Sequence, residues 1–319
     1  MLTVVLNPAA RGGAGRRLRA EIERELRRRG LEFEVRETRG PGEAVELARA
    51  ACHAGSRTVA AAGGDGTVHD VANGILQAAD EGTAERAALG IVPIGTGNDF
   101  VKVIPGTSNR AAAYDTLAAG RRYGFDAALV AWAGGREYCL NAAGTGVDVE
   151  VVRQIQARTR RHGALVYIGG LVRALRRYRP VHVRIDADGE STEARIMMVA
   201  VANGTCIGGL FRICPQARPD DGLLDLCVVR ELTVLRQPVL AARILRGRHL
   251  HEREVSFRTA REVRIEVLDG SPLFFQLDGE LREPRGVDTL SITVQPARLQ
   301  VLAAGRPGAA TPGEARDDS

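Results

Sequence analysis

Three glycines, one aspartate and one threonine interrupt an apolar stretch between Val59 and Leu76, which reads VAAAGGDGTVHDVANGIL. Glycine lets a chain turn sharply and lets a ligand approach the backbone without a Cβ atom in the way. If a helix starts after the glycines, the amides of Gly66, Thr67 and Val68 point out of its N-terminus, where hydrogen bonding and the helix dipole favour an anion. The segment is therefore a candidate phosphate-binding loop. The alternative is a tight turn in which the aspartate and the threonine cap the helix.

Short apolar runs alternate with helical patterns on both sides of this loop, over residues 1–127. The run RTVAAA before the glycines is typical of a buried parallel strand, and TVHDVANGILQAA after them is typical of an amphipathic helix. This alternation predicts a three-layer α/β domain with a parallel sheet. Ligands bind such sheets at the carboxyl ends of the strands, where three glycine- or asparagine-rich junctions fall: NPAARGGAGRR, GGDGT and PIGTGNDF.

The pattern changes after residue 127. Short alternating segments, separated by turn signals, predict an antiparallel β-sandwich over residues 128–303. Helical patterns interrupt it at residues 149–178 and 232–245. The composition of residues 304–319 predicts a disordered tail.

The composition argues against several classes of protein. A net charge of +5 with 4% aromatic residues gives no indication of nucleic-acid binding. Lys102 is the only lysine, so the chain has no Walker-type GK[ST] phosphate loop. The five cysteines are an odd number without C-x-x-C spacing, which argues against a disulfide framework and a zinc knuckle. Since no signal peptide and no apolar run of ~20 residues is present, we expect a soluble, cytoplasmic protein.

The GGDGT motif, followed farther along the chain by GTGNDF, resembles the catalytic family of diacylglycerol kinases. That family includes bacterial lipid kinases and, more distantly, sphingosine and ceramide kinases. The resemblance begins at Asn7 and continues through NGTCIGGLFRICPQARPDDGLLDL to the LDGE motif that ends at Glu280. It implies an NAD-kinase/phosphofructokinase-like nucleotide domain, a β-sandwich lipid domain and an ATP-dependent kinase. The implied reaction is phosphoryl transfer to a lipid hydroxyl, with diacylglycerol to phosphatidic acid as the first candidate.

The resemblance also implies which residues bind ATP. They are Asn7, Thr38, Gly63, Gly64, Asp65, Gly66, Thr67, Thr96 and Asn98. The glycine loop and Thr96 would cradle the phosphates in place of a Walker lysine. Asp65 would act in catalysis through Mg²⁺ or bound water, since its carboxylate repels phosphate oxygens, and Asn98 and Asp99 would brace the second loop.

Two carboxylate motifs in the second half complete the implied site. In DDGLLD, Asp221 and the backbone carbonyls of Arg218 and Leu223 would hold a structural Mg²⁺, an ion that prefers oxygen ligands. In LDGE, Asp278 is the first candidate for the carboxylate that orients and deprotonates the lipid hydroxyl, and Glu280 is the second. Read without the family, the first motif is a polar turn before a strand and the second is a hairpin signal.

Two positions depart from the family pattern. His69 stands where the family has an asparagine two residues after GGDGT, and Lys102 stands where the family has the arginine of NDFAR. Lysine lacks the bidentate fork of arginine, so it replaces that residue only in part.

Two other functions share this scaffold: an NAD kinase, which also has a GGDGT loop, and a catalytically silent lipid-binding protein. The GTGNDF motif and the two carboxylate motifs favour the lipid kinase. Its substrate stays open among diacylglycerol, another long-chain alcohol and a polyprenol-type alcohol. The arginine-rich stretch that contains Arg173, Arg176 and Arg177 is either a surface for transient contact with the inner membrane face or a solvated helix face. The sequence also leaves open whether two copies of the chain form a homodimer.

Overall fold

The computed structural model of the chain describes residues 1–82, 87–95, 97–156, 175 and 178–306. The chain divides into two compact units. Unit 1 comprises Met1–Phe125, Arg218–Asp220 and the chain from Arg298, and unit 2 comprises Asp126–Ala217 and Asp221–Ala297. The break after Phe125 lies close to the boundary predicted after residue 127, but the prediction did not assign the C-terminal strand to unit 1.

Unit 1 is a parallel sheet with helices packed against it. Its elements are β1 (Leu2–Leu6), α1 (Ala10–Arg28), β2 (Phe33–Glu37), α2 (Glu43–His53), β3 (Thr58–Gly63), α3 (Asp65–Asp80), β4 (Ala88–Pro93), a 3₁₀ helix (Phe100–Val103) and α4 (Arg110–Ala119). The strands lie in the order β2-β1-β3-β4, and all neighbours are parallel. The last residues of β15 (Thr289–Leu302) pair with β4 in parallel.

The apolar pattern explains how unit 1 packs. The side chains from Val59 to Ala62 in β3 are fully buried, as expected for an inner strand of a sheet that is covered on both faces. In α1, Ile22 and Leu26 are fully buried in the same cluster as the strands, while the arginines of this helix are mostly exposed. This amphipathic division stabilises a helix whose surface is otherwise strongly charged.

The start of α1 is irregular. Arg11, Gly12 and Gly13 have φ values of 50°, 68° and 91°, so these residues form a left-handed bend and the regular helix follows. Glycine accepts such φ values without the steric cost that a Cβ atom brings. The glycines after β1 therefore shape a loop at the carboxyl end of the strand.

Unit 2 is antiparallel. Its elements are β5 (Arg122–Trp132, which begins in unit 1), β6 (Gly135–Cys139), β7 (Ala142–Gly146), α5 (Val147–Gln156), β8 (Val181–Ala187), β9 (Glu190–Ala202), β10 (Leu224–Arg230), α6 (Gln237–Leu245), β11 (Val255–Ala260), β12 (Glu262–Val267), β13 (Phe275–Leu277), β14 (Glu280–Arg282) and the first part of β15. Strands β13, β7, β9, β8, β12 and β15 lie side by side in that order. Strand β10 pairs with β9 and β11, while β5–β6 and β13–β14 form hairpins.

Both predicted architectures are confirmed, whereas the helix predicted at residues 232–245 is too long. Helix α6 begins at Gln237 and not at Leu232, because the chain forms a turn before it and Pro238 occupies its first turn. Of the helical stretch predicted at residues 149–178, the structure describes residues 149–156, which lie in α5, and residues 175 and 178. Arg173, Arg176 and Arg177 lie outside the described residues, as do residues 307–319 of the predicted tail. Among the described helices, none has the length and apolar character needed to cross a bilayer.

Candidate functional site

The glycine motif lies where the sequence predicted it, between β3 and α3. Gly64 is the N-cap of α3, with φ −99° and ψ −168°, and Asp65 is the first residue of the helix. A Cβ atom on Gly63 would lie 2.2 Å from Oγ1 of Thr67, so only glycine fits there. The first amides of a helix have no partner within the helix and carry the positive end of its dipole. The loop can therefore hold an anionic group such as a phosphate.

A second glycine loop follows β4 and packs against the first. The amides of Ile94 and Gly95 both donate to the carbonyl oxygen of Gly63, at 2.8 and 3.2 Å. A Cβ atom on Gly95 would lie 2.6 Å from Cα of Gly64, so the two backbones approach too closely for any side chain. Thr96, predicted to bind phosphate, lies outside the described residues.

Asp65 joins the two loops. Its Oδ1 atom accepts a hydrogen bond from the amide of Asp99 at 2.7 Å, and a Cβ atom on Gly97 would lie 2.8 Å from its Oδ2 atom. Asn98, with φ 48°, donates from Nδ2 to the carbonyl oxygen of Gly95 at 3.2 Å, which braces the second loop. Nζ of Lys102 lies 2.8 Å from Oδ1 of Asp99, so the lone lysine brings its charge to this loop.

Two further predicted residues lie at the ends of neighbouring strands. Asn7, directly after β1, donates from Nδ2 to Oγ1 of Thr67 at 3.1 Å. Thr38, directly after β2, is buried, and its amide donates to the carbonyl oxygen of Leu6 at 2.9 Å. Unit 1 thus gathers Asn7 and the GGDGT loop in direct contact, with Thr38 beside the end of β1.

Asp126 is a residue that the sequence analysis missed. It is 2% exposed, its Oδ2 atom accepts from the amide of Gly222 and its Oδ1 atom accepts from the amide of Ala297, both at 2.7 Å. The signal that could have identified it is a carboxylate within the apolar run FDAALVAW. A carboxylate buried with its strand needs hydrogen-bond donors, so its position suggests a structural role. Asp126 fixes the turn that follows Asp221.

The turn at Asp221 offers oxygen atoms to a cation. Asp221 is exposed, and its Oδ1 atom accepts from the amide of Leu223 at 3.1 Å. Nearby, burial and then the charge of Asp221 raise the pKa of Asp225 to about 7. The described residues contain no group of three or more His, Cys, Asp or Glu side chains able to hold a metal. One carboxylate supplemented by backbone carbonyls and water is nevertheless a ligand set that Mg²⁺ accepts, so these residues fit the ion.

Asp278 lies in the turn of the β13–β14 hairpin, with φ 52°. Its carboxylate accepts from three successive amides, those of Leu140, Asn141 and Ala142, at 2.8 to 3.1 Å. The thiol of Cys139 donates to it at 3.0 Å. These bonds engage both oxygens, so Asp278 ties the hairpin to the segment between β6 and β7.

Glu280 lies two residues further on, at the start of β14. It is half-buried, and its carboxylate has no hydrogen-bond or ion-pair partner within the part of the chain that the structure describes. The two carboxylates of LDGE therefore differ: one is fully engaged, and the other is available to a ligand.

Asp148, at the start of α5, is a second carboxylate that the sequence analysis missed. It is buried, its Oδ1 atom has no hydrogen-bond partner among the residues that the structure describes, and Nε2 of Gln276 lies 3.4 Å from Oδ2. Burial raises its pKa to about 7. Its only signal in the sequence is a carboxylate within the apolar run GVDVEVV.

Comparison with known proteins matches this arrangement to one family. Residues 1–130 match the diacylglycerol kinase catalytic domain, and residues 141–303 match the YegS C-terminal NAD kinase beta sandwich-like domain. The chain is 28% identical to the diacylglycerol kinase of Bacillus subtilis, covering 87% of this chain and 88% of that protein. It is 32% identical to a YegS-like lipid kinase of Xanthomonas euvesicatoria, covering 86% and 88%.

A solved structure has the same fold. A diacylglycerol kinase from Bacillus anthracis superposes with a TM-score of 0.71 at 21% identity, over 95% of this chain and 96% of the other. The named relatives are lipid kinases, which favours this activity over that of an NAD kinase. The family match and the named relatives confirm the resemblance seen in the sequence. Kinases of this family use ATP and phosphorylate alcohols. The chain belongs to the family of diacylglycerol kinases and YegS-like lipid kinases.

Proposed function

We propose that this chain transfers the γ-phosphoryl group of ATP to the free hydroxyl of diacylglycerol and so forms phosphatidic acid. The observation that carries the proposal is the pair of glycine loops, held backbone to backbone at the N-terminus of α3 by Asp65. The curated relative from Bacillus subtilis, named a diacylglycerol kinase, supports this choice of lipid.

In unit 1, the amides of Gly63–Thr67 would bind the phosphates of ATP. Phosphoryl transfer needs positioning and charge stabilisation more than covalent chemistry, and helix-terminal amides supply both. Asn7 would keep the hydroxyl of Thr67 in place through their hydrogen bond. Thr38, Asn98 and Thr96 complete the proposed nucleotide site, and Lys102 adds positive charge close to the second loop.

A divalent cation, Mg²⁺, would neutralise phosphate charge when bound with ATP. Asp65 is the carboxylate of unit 1 proposed to interact with this ion or with its water. A separate structural Mg²⁺ would bind Asp221 and the carbonyls of Arg218 and Leu223. Asp126 supports that assignment indirectly, because it holds the amide of Gly222 and thereby orders the turn.

In unit 2, the carboxylates of LDGE would orient the lipid hydroxyl. As the hydroxyl oxygen forms its bond to the γ-phosphorus and the bond from that phosphorus to ADP breaks, the proton passes to a carboxylate. The hydrogen bonds on Asp278 favour Glu280 as the acceptor, with Asp278 shaping the hairpin. This reverses the preference drawn from the sequence, because only the contacts distinguish the two residues.

The proposal is tested with purified chain, Mg²⁺ and ATP labelled at the γ-phosphate. The acceptor panel contains diacylglycerol, monoacylglycerol, ceramide, sphingosine, a polyprenol and NAD. We expect labelled phosphatidic acid as the main product and no labelled product from the Asp65→Ala control. Preferred labelling of another lipid would change the substrate, labelling of NAD would assign the chain to NAD kinases, and no labelling of any acceptor would support a silent lipid-binding protein.

A further inference from the structure

Among the described residues of unit 2, the segment between β10 and β11 carries the most exposed large apolar side chains. Val234 is 76% exposed, Leu235 is 86% exposed and Val239 is 42% exposed. Within the described ranges, Met1 is the only other exposed large apolar residue. Single apolar residues scattered on a surface need no explanation, but here three of them fall within a stretch of six residues. We refer to Val234, Leu235 and Val239 as the apolar tip.

The apolar tip is held by ordered structure. The amide of Arg236 donates to the carbonyl oxygen of Thr233 at 2.9 Å, which closes a turn over Val234 and Leu235. Helix α6 follows at once, and its buried Leu240 and Ile244 belong to a core cluster of unit 2. The exposure therefore follows from the fold of this segment, which directs Leu240 inward and leaves the tip at the surface.

Ion pairs cover the negative charges beside the tip. Arg236 contacts the carboxylates of Glu252 and Glu254 at 2.7 and 2.9 Å, and Arg243 also pairs with Glu252. Arg253, 82% exposed in its side chain, pairs with Glu254 at 2.9 Å. Both glutamate side chains are only 10% exposed, so the surface here is formed by guanidinium groups.

Further arginines extend this charge along α6. The chain from Arg230 to Glu254 contains six arginines and three glutamates. Arg246 and Arg248 are exposed, and neither has a carboxylate partner among the residues described. Along the chain, the apolar tip therefore lies among arginines, with Arg236 next to it and Arg243, Arg246 and Arg248 after it.

We propose that the apolar tip and its flanking arginines dock unit 2 on a bilayer that contains anionic phospholipids. Aliphatic side chains enter the boundary between headgroups and acyl chains, and arginines bind the phosphates around them. The proposal builds on the proposed function, because a kinase that acts on a membrane lipid must reach the bilayer. A second copy of the chain fits less well, since three aliphatic side chains fall far short of the ~1,000 Å² that a stable interface needs.

The test is flotation of the full chain with vesicles of phosphatidylcholine, with or without phosphatidylglycerol. We expect binding to the anionic vesicles, weakened by salt because exposed attraction is screened over ~10 Å at 0.1 M. V234S/L235S should lower the partition coefficient by about tenfold or more, since both side chains lose their apolar burial. R246Q/R248Q should lower it as well and reduce its dependence on salt. The matched control R27Q/R28Q, which removes two exposed arginines from α1, should bind like wild type.

Melting temperature and phosphorylation of a short-chain, water-soluble diacylglycerol should be unchanged in all three variants. Wild type that floats with neither vesicle, or V234S/L235S that floats like wild type, would overturn the docking surface. A dimer of wild type that V234S/L235S dissociates, without a change in flotation, would identify a second copy as the partner. Vesicle binding without any diacylglycerol phosphorylation would contradict the proposed function and leave the docking surface standing.

Discussion

At the scale of single residues, the carboxylates of the candidate site differ in what surrounds them. Asp65 accepts from the amide of Asp99 in the neighbouring loop, Asp126 accepts from the amides of Gly222 and Ala297, and Asp278 accepts from three successive amides and the thiol of Cys139. Within the described part of the chain, Glu280 has no partner, and Asp148 is buried with one oxygen that no group contacts by a hydrogen bond. A carboxylate with filled oxygens organises its surroundings, whereas an available one can accept a proton or a ligand.

The two LDGE carboxylates should respond differently to amide substitution. Glu280→Gln should lower kcat by about 10²- to 10⁴-fold, the usual contribution of proton-transfer catalysis, with an unchanged melting temperature. Asp278→Asn should lower both activity and melting temperature, because its NH₂ group faces backbone donors. Steady-state kinetics and thermal unfolding check both. A lowered kcat for Asp278→Asn at wild-type stability, with full activity for Glu280→Gln, would return the role of base to Asp278.

Asp148 should make the stability of the chain depend on pH. Burial raises its pKa to about 7, far above its value in the unfolded chain, so its contribution to stability is complete at low pH and is lost as pH rises through about 7. Asp148→Asn should therefore raise the melting temperature relative to wild type more at pH 8 than at pH 5. The control Asp288→Asn changes an exposed carboxylate. Its melting temperature should differ from that of wild type by the same amount at pH 5 and at pH 8. An equal effect of Asp148→Asn at both pH values would contradict the assignment.

At the scale of elements, two parallel strands end in glycine loops that touch. Strands β3 and β4 are adjacent, so their loops emerge at the same edge of the sheet. Gly64 and Gly95 allow the backbones to meet, and Asp65 then reaches the amide of Asp99. The site of unit 1 is consequently a property of the strand pair and not of either loop alone.

Gly95→Ala should separate the two loops. Its Cβ atom would lie 2.6 Å from Cα of Gly64, and backbone atoms cannot move aside as a flexible side chain can. We expect a loss of about 1–3 kcal/mol in the free energy of unfolding and a higher KM for ATP. Gly305→Ala, where a Cβ atom meets no atom within 4 Å, is the control and should change neither. A wild-type KM for Gly95→Ala would exclude close loop packing from nucleotide binding.

At the scale of the whole molecule, the chain passes between its units more than once. Unit 1 takes in Arg218–Asp220 and the C-terminal strand, which follow or interrupt the residues of unit 2. The carboxylate-rich DDGLLD segment begins at one of these passages. An ion that binds Asp221 only in the native chain would stabilise that chain by mass action.

Added Mg²⁺ should raise the melting temperature of the wild-type chain, because a ligand that binds only the native state stabilises it, by about 2.7 kcal/mol at a hundred times its Kd. Asp221→Ala should abolish this shift and lower activity. The neighbouring Asp220→Ala, which removes a carboxylate paired with Arg218, should retain the shift. Thermal unfolding with and without Mg²⁺ decides the question, and an unaltered shift in Asp221→Ala would rule out the proposed ligand.

Much of the architecture could be predicted because it follows from local patterns. The period of apolar residues distinguishes the parallel α/β half from the antiparallel half, and the glycines of GGDGT mark a strand-to-helix junction by themselves. The limits of α6 were predicted less well: its apolar pattern begins at Leu232, yet Val234 and Leu235 lie in an exposed turn. Burial of those side chains depends on neighbouring elements, which a linear pattern does not contain.

The sequence by itself determined the two folds, the glycine-rich strand-to-helix junction and the family, since residue types and spacing along the chain are sufficient for these. Only the tertiary structure decided which side chains meet across long separations. Asp126 reaches Gly222 and Ala297, and Asp278 reaches Leu140, through hydrogen bonds that depend on strand register and on the path of the chain. Hydrogen bonds act over about 3 Å in space irrespective of distance along the chain, so these partners, and the contrast between Asp278 and Glu280, emerge only once the chain has folded.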